Sequence, residues 1–251
     1  MNRAFHPATA DWTPGAPLEL SPEESHHLCS VLRAPAGTPV VLLDGAGRTA
    51  TALLETPHKK HALVRIPPDA PPVLAPPPPF RRILLQALIR EQRMDAVIQK
   101  AVELGTSEIW PLQTDHAIVR ISPADAPRKT ERWNSIALAA CKQSGNPWLP
   151  AILPPQTLPQ ALDRLAARSI RAFYGALVPG AIPLPDLLRE LTNPAPPALA
   201  AIIGPEGDFS PAEYALLART PSLRPATFGP LVLRAETAAI FALSALLCTS
   251  L

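Results

Sequence analysis

Apolar residues fall along this chain in short blocks whose spacing changes near residue 80. Before that point the blocks are brief: Val31-Leu32, Val40 to Leu43 and Thr49 to Leu54, with Gly37, Gly45 and Gly47 between them. Short aliphatic and β-branched runs bounded by glycine predict strands, so residues 1–66 read as a small β-rich domain. Ser21-Pro22-Glu23-Glu24 interrupts it with a helix start, a capping serine followed by proline and acidic residues. Beyond residue 80 the blocks alternate in type. Ile83 to Ile89 is a strand. Gln92 to Leu104 places Val97, Ile98, Ala101, Val102 and Leu104 on one helical face and stops at Gly105. Glu108 to Leu112 is a second strand. His116 to Arg120 leads into a basic helix in which Arg128, Lys129, Arg132 and Lys142 surround Trp133 and Ile136. Leu158 to Ala167 and Leu184 to Leu191 read as helices, and Arg171 to Gly175 and Ala198 to Ile203 as strands. Such alternation predicts an α/β domain with a largely parallel sheet.

The two patterns meet at Pro67 to Pro79, where eight of thirteen residues are proline. Proline at that density excludes a helix or a central strand and predicts a stiff extended connector. The expected organisation is a first domain at 1–70, a linker at 71–79 and a second domain at 80–251.

Composition narrows the class. The chain has 251 residues, 47% hydrophobic and 18% charged, with a formal net charge of +2. This excludes a generic polycation but leaves room for a local basic face. The run from Ala238 to Cys248 is too short to span a bilayer, and the first residues lack the apolar core of a signal peptide. Cys29, Cys141 and Cys248 are odd in number and widely spaced, which suggests a reducing cytoplasm and no metal site.

Two stretches near the C-terminus carry the chemistry. Ile202-Ile203-Gly204-Pro205-Glu206-Gly207-Asp208-Phe209-Ser210 follows the apolar run at 198–203 and ends in a capping box, Ser210-Pro211-Ala212-Glu213. Phe228-Gly229-Pro230-Leu231-Val232-Leu233-Arg234-Ala235-Glu236-Thr237 repeats the plan and enters the final helix, Arg234 to Leu247. Two Gly-Pro breaks so close together predict loops at the ends of adjacent strands, where open α/β sheets bind ligands. Glycines before a helix can cradle phosphate. Here, however, Glu206 and Asp208 would repel it, and a neutral or cationic ligand such as S-adenosylmethionine fits better.

Gly-Pro-Glu-Gly at 204–207, followed by Gly-Pro-x-Val-Leu-Arg-x-Glu-Thr at 229–237, resembles the ribosomal RNA small-subunit methyltransferase E family. So do His27 to Arg33, Asp44-Gly45, Arg93-Met94-Asp95-Ala96-Val97-Ile98-Gln99-Lys100-Ala101-Val102-Glu103-Leu104-Gly105 and Lys142-Gln143-Ser144-Gly145. The resemblance implies a PUA-like β-barrel domain and a SPOUT-type, trefoil-knotted, parallel-sheet methyltransferase domain. It implies a cytoplasmic homodimer that methylates N3 of a uridine in 16S ribosomal RNA without a metal.

The same resemblance implies a cofactor site at Ile203, Gly204, Pro205, Glu206, Gly207, Phe228, Gly229, Leu231, Val232 and Leu233, with Leu231 and Val232 facing the adenine. Arg234 is assigned to stabilising the uracil anion. Glu236 would orient Arg234 or accept the proton, with orientation preferred because a carboxylate is a weak base. His27, Arg33, Arg90, Arg93, Lys100, Arg132 and Lys142 form the expected RNA-binding set, against an alternative in which these are packed or solvated side chains. Three positions depart from the family pattern: Asn146 and Leu231 replace arginines and Ala235 replaces a threonine. Alternative readings are a related enzyme acting on transfer RNA, or a non-catalytic RNA-binding relative.

Overall fold

The computed structural model describes residues 1–7, 9 and 11–249. Residues 1–77 and 138–149 form one compact unit, and 78–137 with 150–251 form another. In the first unit, β1 (Asn2–Phe5), β2 (Pro17–Glu19), α1 (Pro22–His26), β3 (Pro39–Leu43), β4 (Arg48–Thr56), β5 (Leu63–Arg65) and β6 (Val73–Leu74) follow in chain order. Their sheet runs β1-β3-β4-β5-β2, with β6 on β4. Only the β1–β3 pairing is parallel among the described strands. Alternate residues point inward, and Val40, Leu42, Ala52, Leu54, Val64 and Ile66 are fully buried with Leu20 and Leu28. The proline-rich connector is not wholly irregular, since Val73 and Leu74 within it make the short edge strand β6.

Two expectations change here. Val31-Leu32 is not a strand. Ser21 caps α1 through a 3.2 Å bond from Glu24 N, and the chain runs straight on into a π-helical turn at His27–Val31. Leu32 N reaches back to His27 O at 3.0 Å. Leu28 is buried by this turn, whereas Val31 and Leu32 stay exposed. The second change concerns residues 138–149, expected in the second domain but packed with the first unit. Leu149 N bonds Gly45 O at 2.9 Å, Gly47 N bonds Pro147 O at 3.0 Å, and Arg3 Nη1 bonds the carbonyls of Lys142 and Gln143 at 2.8 and 2.7 Å. Gly47 leaves room for the Trp148 ring, because a Cβ there would lie 2.3 Å from it. Asn146, the residue that replaces an arginine, accepts a 2.9 Å bond from Trp148 N and so shapes this turn.

The second unit holds, in chain order, β7 (Arg81–Ala87), α2 (Glu91–Glu103), β8 (Glu108–Gln113), α3 (Ala126–Ser144, whose last turns belong to the first unit), β9 (Ala151–Ile152), β10 (Gln156–Thr157), α4 (Leu158–Ala167) and β11 (Arg171–Gly175). It continues with β12 (Ile182–Pro183), α5 (Leu184–Leu191), β13 (Ala198–Ile203), α6 (Pro211–Arg219), β14 (Leu223–Thr227) and α7 (Ala235–Cys248). The sheet order is β10-β8-β7-β13-β11-β14-β12, with β9 on β8, and every described pairing is parallel. All six residues of β13 are buried, as a strand covered on both faces requires. On one face Ile83, Leu85, Trp110, Leu112, Tyr174 and Ile202 pack against α4 and α6. α7 packs on β7, β13 and α2. Each fully buried leucine of this core contributes about 1.5–3 kcal/mol. Trp133, surrounded in sequence by the basic residues of α3, is buried at 3% exposure and packs as core. No described helix is long and apolar enough to cross a membrane.

Candidate active site

The carboxyl ends of β11, β13 and β14 open into a cavity of about 260 Å³. β13 and β14 are not neighbours, contrary to the expectation of adjacent strands, because β11 lies between them. The cavity therefore has a third wall, Gly175-Ala176-Leu177, that the two Gly-Pro breaks did not reveal. Ile203 comes from the end of β13, and Gly204, Pro205, Glu206 and Asp208 from the loop after it. Phe228, Gly229, Leu231, Val232, Leu233 and Arg234 come from the loop after β14, and Ala235 and Ala238 from α7. Gly207 is the one predicted cofactor residue outside this lining. It serves a neighbour instead, since a Cβ there would sit 3.2 Å from His116 Cβ.

Local bonds set the first loop. Ser210 accepts from Glu213 N at 3.2 Å, and Glu213 accepts from Ser210 N at 2.9 Å, completing the predicted capping box. Both ends of that box are tied to the segment after β8: Ser210 Oγ donates to Asp115 Oδ2 at 2.6 Å, and Asp115 N donates to Glu213 Oε1 at 2.9 Å. His116 Nδ1 lies 2.9 Å from Gly207 O and 3.1 Å from Asp208 O. Asp208 has a left-handed φ of 61°. Its carboxylate accepts from Phe209 N at 2.8 Å and from the Tyr214 hydroxyl at 2.9 Å. Burial first, and the Asp208 hydrogen bond second, push the Tyr214 phenol well above its ordinary value, so it stays a donor. Asp115, His116 and Tyr214 were missed by sequence reasoning; the polar triplet Thr114-Asp115-His116 directly after a buried strand was the available signal.

The second loop is looser. The Thr227 hydroxyl lies 3.4 Å from Gly229 N and 3.3 Å from Gly229 O. Leu231 and Val232 line the cavity yet are 75% and 76% exposed, so their side chains are not packed into an apolar wall. Phe228 packs edge-on to Phe173 and against Phe241. Arg234 occupies the N-cap of α7 without capping it. A cation at a helix N-terminus opposes the helix dipole, so this position is not chosen for stability. The guanidinium is exposed and has no partner among the described residues.

Glu236 does not touch Arg234. It pairs with Arg93, whose Nε lies 3.7 Å from Glu236 Oε1 while its Nη1 lies 3.0 Å from Glu206 Oε1. Glu236 Oε2 is buried without a hydrogen-bond partner. The preferred orienting role of Glu236 toward Arg234 is thus absent from this geometry. The other expected RNA residues divide. His27, Arg33 and Arg90 are exposed. Lys100 pairs with Glu103 at 2.9 Å, Arg132 with Asp95 at 2.5 Å and Glu91 at 3.1 Å, and Lys142 with buried Glu24 at 2.6 Å.

The site is thus a strand-end cavity in a parallel sheet, with carboxylates in its wall and an arginine at its edge that has no partner among the described residues. Residues 76–247 match the family described as RNA methyltransferase domain, and residues 20–67 match the RNA methyltransferase PUA domain. Ribosomal RNA small subunit methyltransferase E of Mesomycoplasma hyopneumoniae is 31% identical over 66% of this chain and 69% of its own length. The enzyme of the same name from Neisseria gonorrhoeae, solved bound to S-adenosyl methionine, is 27% identical. It covers 99% of this chain and 98% of its own, with a TM-score of 0.85. A Legionella pneumophila protein solved with bound SAM is 33% identical over 98% of this chain and 97% of its own, with a TM-score of 0.81. The chain belongs to the ribosomal RNA small subunit methyltransferase E family of RNA methyltransferases.

Proposed function

We propose that the chain transfers a methyl group from S-adenosylmethionine to N3 of a uridine in 16S ribosomal RNA. The observation that carries this reading is the chemistry of the cavity lining. Glu206 and Asp208 place carboxylates in the wall, which disfavour a phosphate and suit sulfonium and ammonium charge even though Glu206 is shared with Arg93 and Asp208 with the Tyr214 hydroxyl. Phe228, Leu231, Val232 and Leu233 offer apolar surface to a purine, and the loop backbones offer hydrogen bonds to its edge. When bound, S-adenosylmethionine supplies a methyl group on a sulfonium, a leaving group that needs no protonation.

The chain's own residues then have a defined task. Uracil N3 is protonated at neutral pH, and losing that proton spreads negative charge onto the two flanking carbonyl oxygens. Arg234 stays cationic and presents forked donors suited to those oxygens, at the edge of the cavity where a base would enter. Glu236 acts on the loops through Arg93 rather than on Arg234. Exposed His27, Arg33 and Arg90 are the better candidates for RNA contact, since Lys100, Arg132 and Lys142 would first have to leave carboxylates.

The family match supports the expected trefoil knot. Leu177, Leu231, Val232 and Phe241 are exposed, and this apolar surface supports the expected homodimer. A substrate of ribosomal RNA is consistent with the expected cytoplasmic location. The test is to incubate the protein with S-adenosylmethionine and unmodified small-subunit RNA, then map methylated nucleosides by mass. One N3-methyluridine is expected. A methyl group at another atom, or none, refutes the proposal.

A further inference from the structure

The geometry points to Arg93 as a positioning residue that sets the spacing of the two cavity loops, and through it the affinity for the cofactor. This inference rests on the proposed S-adenosylmethionine site. Arg93 lies in the first turn of α2, and its fork joins Glu206 in the loop after β13 to Glu236 in the first turn of α7, just past the loop after β14. The strands that carry these loops share no hydrogen-bond ladder, because β11 separates them. Backbone pairing therefore fixes each loop to β11 but not one loop to the other. The loop after β13 is anchored by Asp115 and His116. The loop after β14 is held by Thr227 at its start, and at its end by the packing of α7 on α2, β7 and β13, to which Arg93 adds a longer 3.7 Å pair with Glu236. Two carboxylates on one guanidinium form a tie that lysine cannot duplicate, since an ammonium is a single point charge without the fork.

Charge and position predict opposite signs here. Removing Arg93 leaves Glu206 uncompensated, which by charge alone would strengthen binding of a cation. Losing the tie loosens the spacing of the two loops and weakens binding, whatever the ligand's charge. S-adenosylhomocysteine lacks the sulfonium and so separates the two effects.

The experiment titrates the full-length protein, wild type and the variants Arg93→Gln, Arg93→Lys and Glu206→Gln, with each ligand by calorimetry, and records thermal midpoints and RNA affinity. Arg93→Gln should weaken both ligands by about tenfold, with the midpoint within a few degrees of wild type because the pair is partly exposed. Arg93→Lys should recover part of the loss, and Glu206→Gln should reproduce part of it. Affinities within twofold of wild type would overturn the inference. So would tighter S-adenosylmethionine with unchanged S-adenosylhomocysteine, which would make Arg93 a charge screen. Retained cofactor affinity with weaker RNA binding and a salt slope reduced by about one would make it a phosphate contact instead. A large fall in midpoint without recovery by lysine would make it merely structural. Should the wild type bind neither ligand, the reading of the cavity fails along with the inference.

Discussion

The two ends of the parallel sheet treat charge in opposite ways. At the amino ends of β7 and β8, Glu108 is almost buried and fully engaged. Arg168 grips it with a fork at 2.7 and 2.6 Å, Trp110 Nε1 donates at 3.0 Å, and Arg81 approaches at 3.4 Å. Arg164 and Arg168 also lie over the Trp110 ring, 5.7 and 5.5 Å from its centre. At the carboxyl ends of β11, β13 and β14, Arg234 has no partner among the described residues and Glu236 keeps one buried oxygen unpaired. Buried polar groups are ordinarily satisfied, so saturation at one end marks structure and incompleteness at the other marks work. What differs between these charges is whether they have already found their partners.

This contrast is most exposed to test at Arg234. Arg234→Ala should cut single-turnover methylation by about 100-fold while leaving cofactor affinity near wild type, the loss expected for one donor aimed at developing charge. A wild-type rate would erase the distinction between the ends. Arg168→Ala probes the other end. It should lower unfolding stability by about 2 kcal/mol in urea titration, because Glu108 is left desolvated with only Trp110 and the more distant Arg81 as partners. Methylation per folded molecule should not change. Gly207→Val lies between the two kinds of effect, since it pushes on His116 rather than on the ligand. A loss of cofactor affinity of about tenfold, reproduced in part by His116→Ala, would show that the clamp after β8 sets the first loop. Loss with Gly207→Val alone would mean that the ligand itself approaches Gly207.

What the sequence showed, and what it hid, follows the range of the interactions. The strand at 198–203 and the cap at Ser210 are local: an unbroken apolar run and a serine three residues before a glutamate state their own structure. The Gly-Pro breaks likewise marked most of the cavity wall. The third wall at Gly175-Ala176-Leu177 carries no such mark, because it becomes a wall only when β11 inserts between β13 and β14. Val31-Leu32 misled because a two-residue apolar block has no period of its own, and the helix begun at Ser21 simply ran on. Ion-pair partners were the least legible. Arg93 finds Glu206 across 113 positions and Lys142 finds Glu24 across 118, and no spacing rule reaches that far.

The smallest expected effect is also the one that separates the two ends by pH. Glu108 is held below its ordinary value of 4.5, chiefly by the Arg168 hydrogen bond, with burial opposing and Trp110 and the charges of Arg168 and Arg81 assisting. A carboxyl whose folded value is depressed releases its proton more readily in the folded state. Its contribution to stability is therefore complete above about pH 4.5 and is lost as pH falls through the lower, folded value. Glu91 is also depressed, through Lys129 and Arg132, but it sits in the open. Salt tells the two apart, since at 1 M the screening length shrinks to about 3 Å, which weakens exposed pairs and reaches sheltered ones far less. Stability measured between pH 5 and 3 in 1 M salt should thus still fall with acid in the wild type and fall less steeply in Glu108→Gln. Arg234 has no carboxylate partner among the described residues, so Arg234→Ala should track the wild-type curve. Identical slopes for Glu108→Gln and wild type would mean that the saturated end of the sheet contributes nothing distinctive to acid stability.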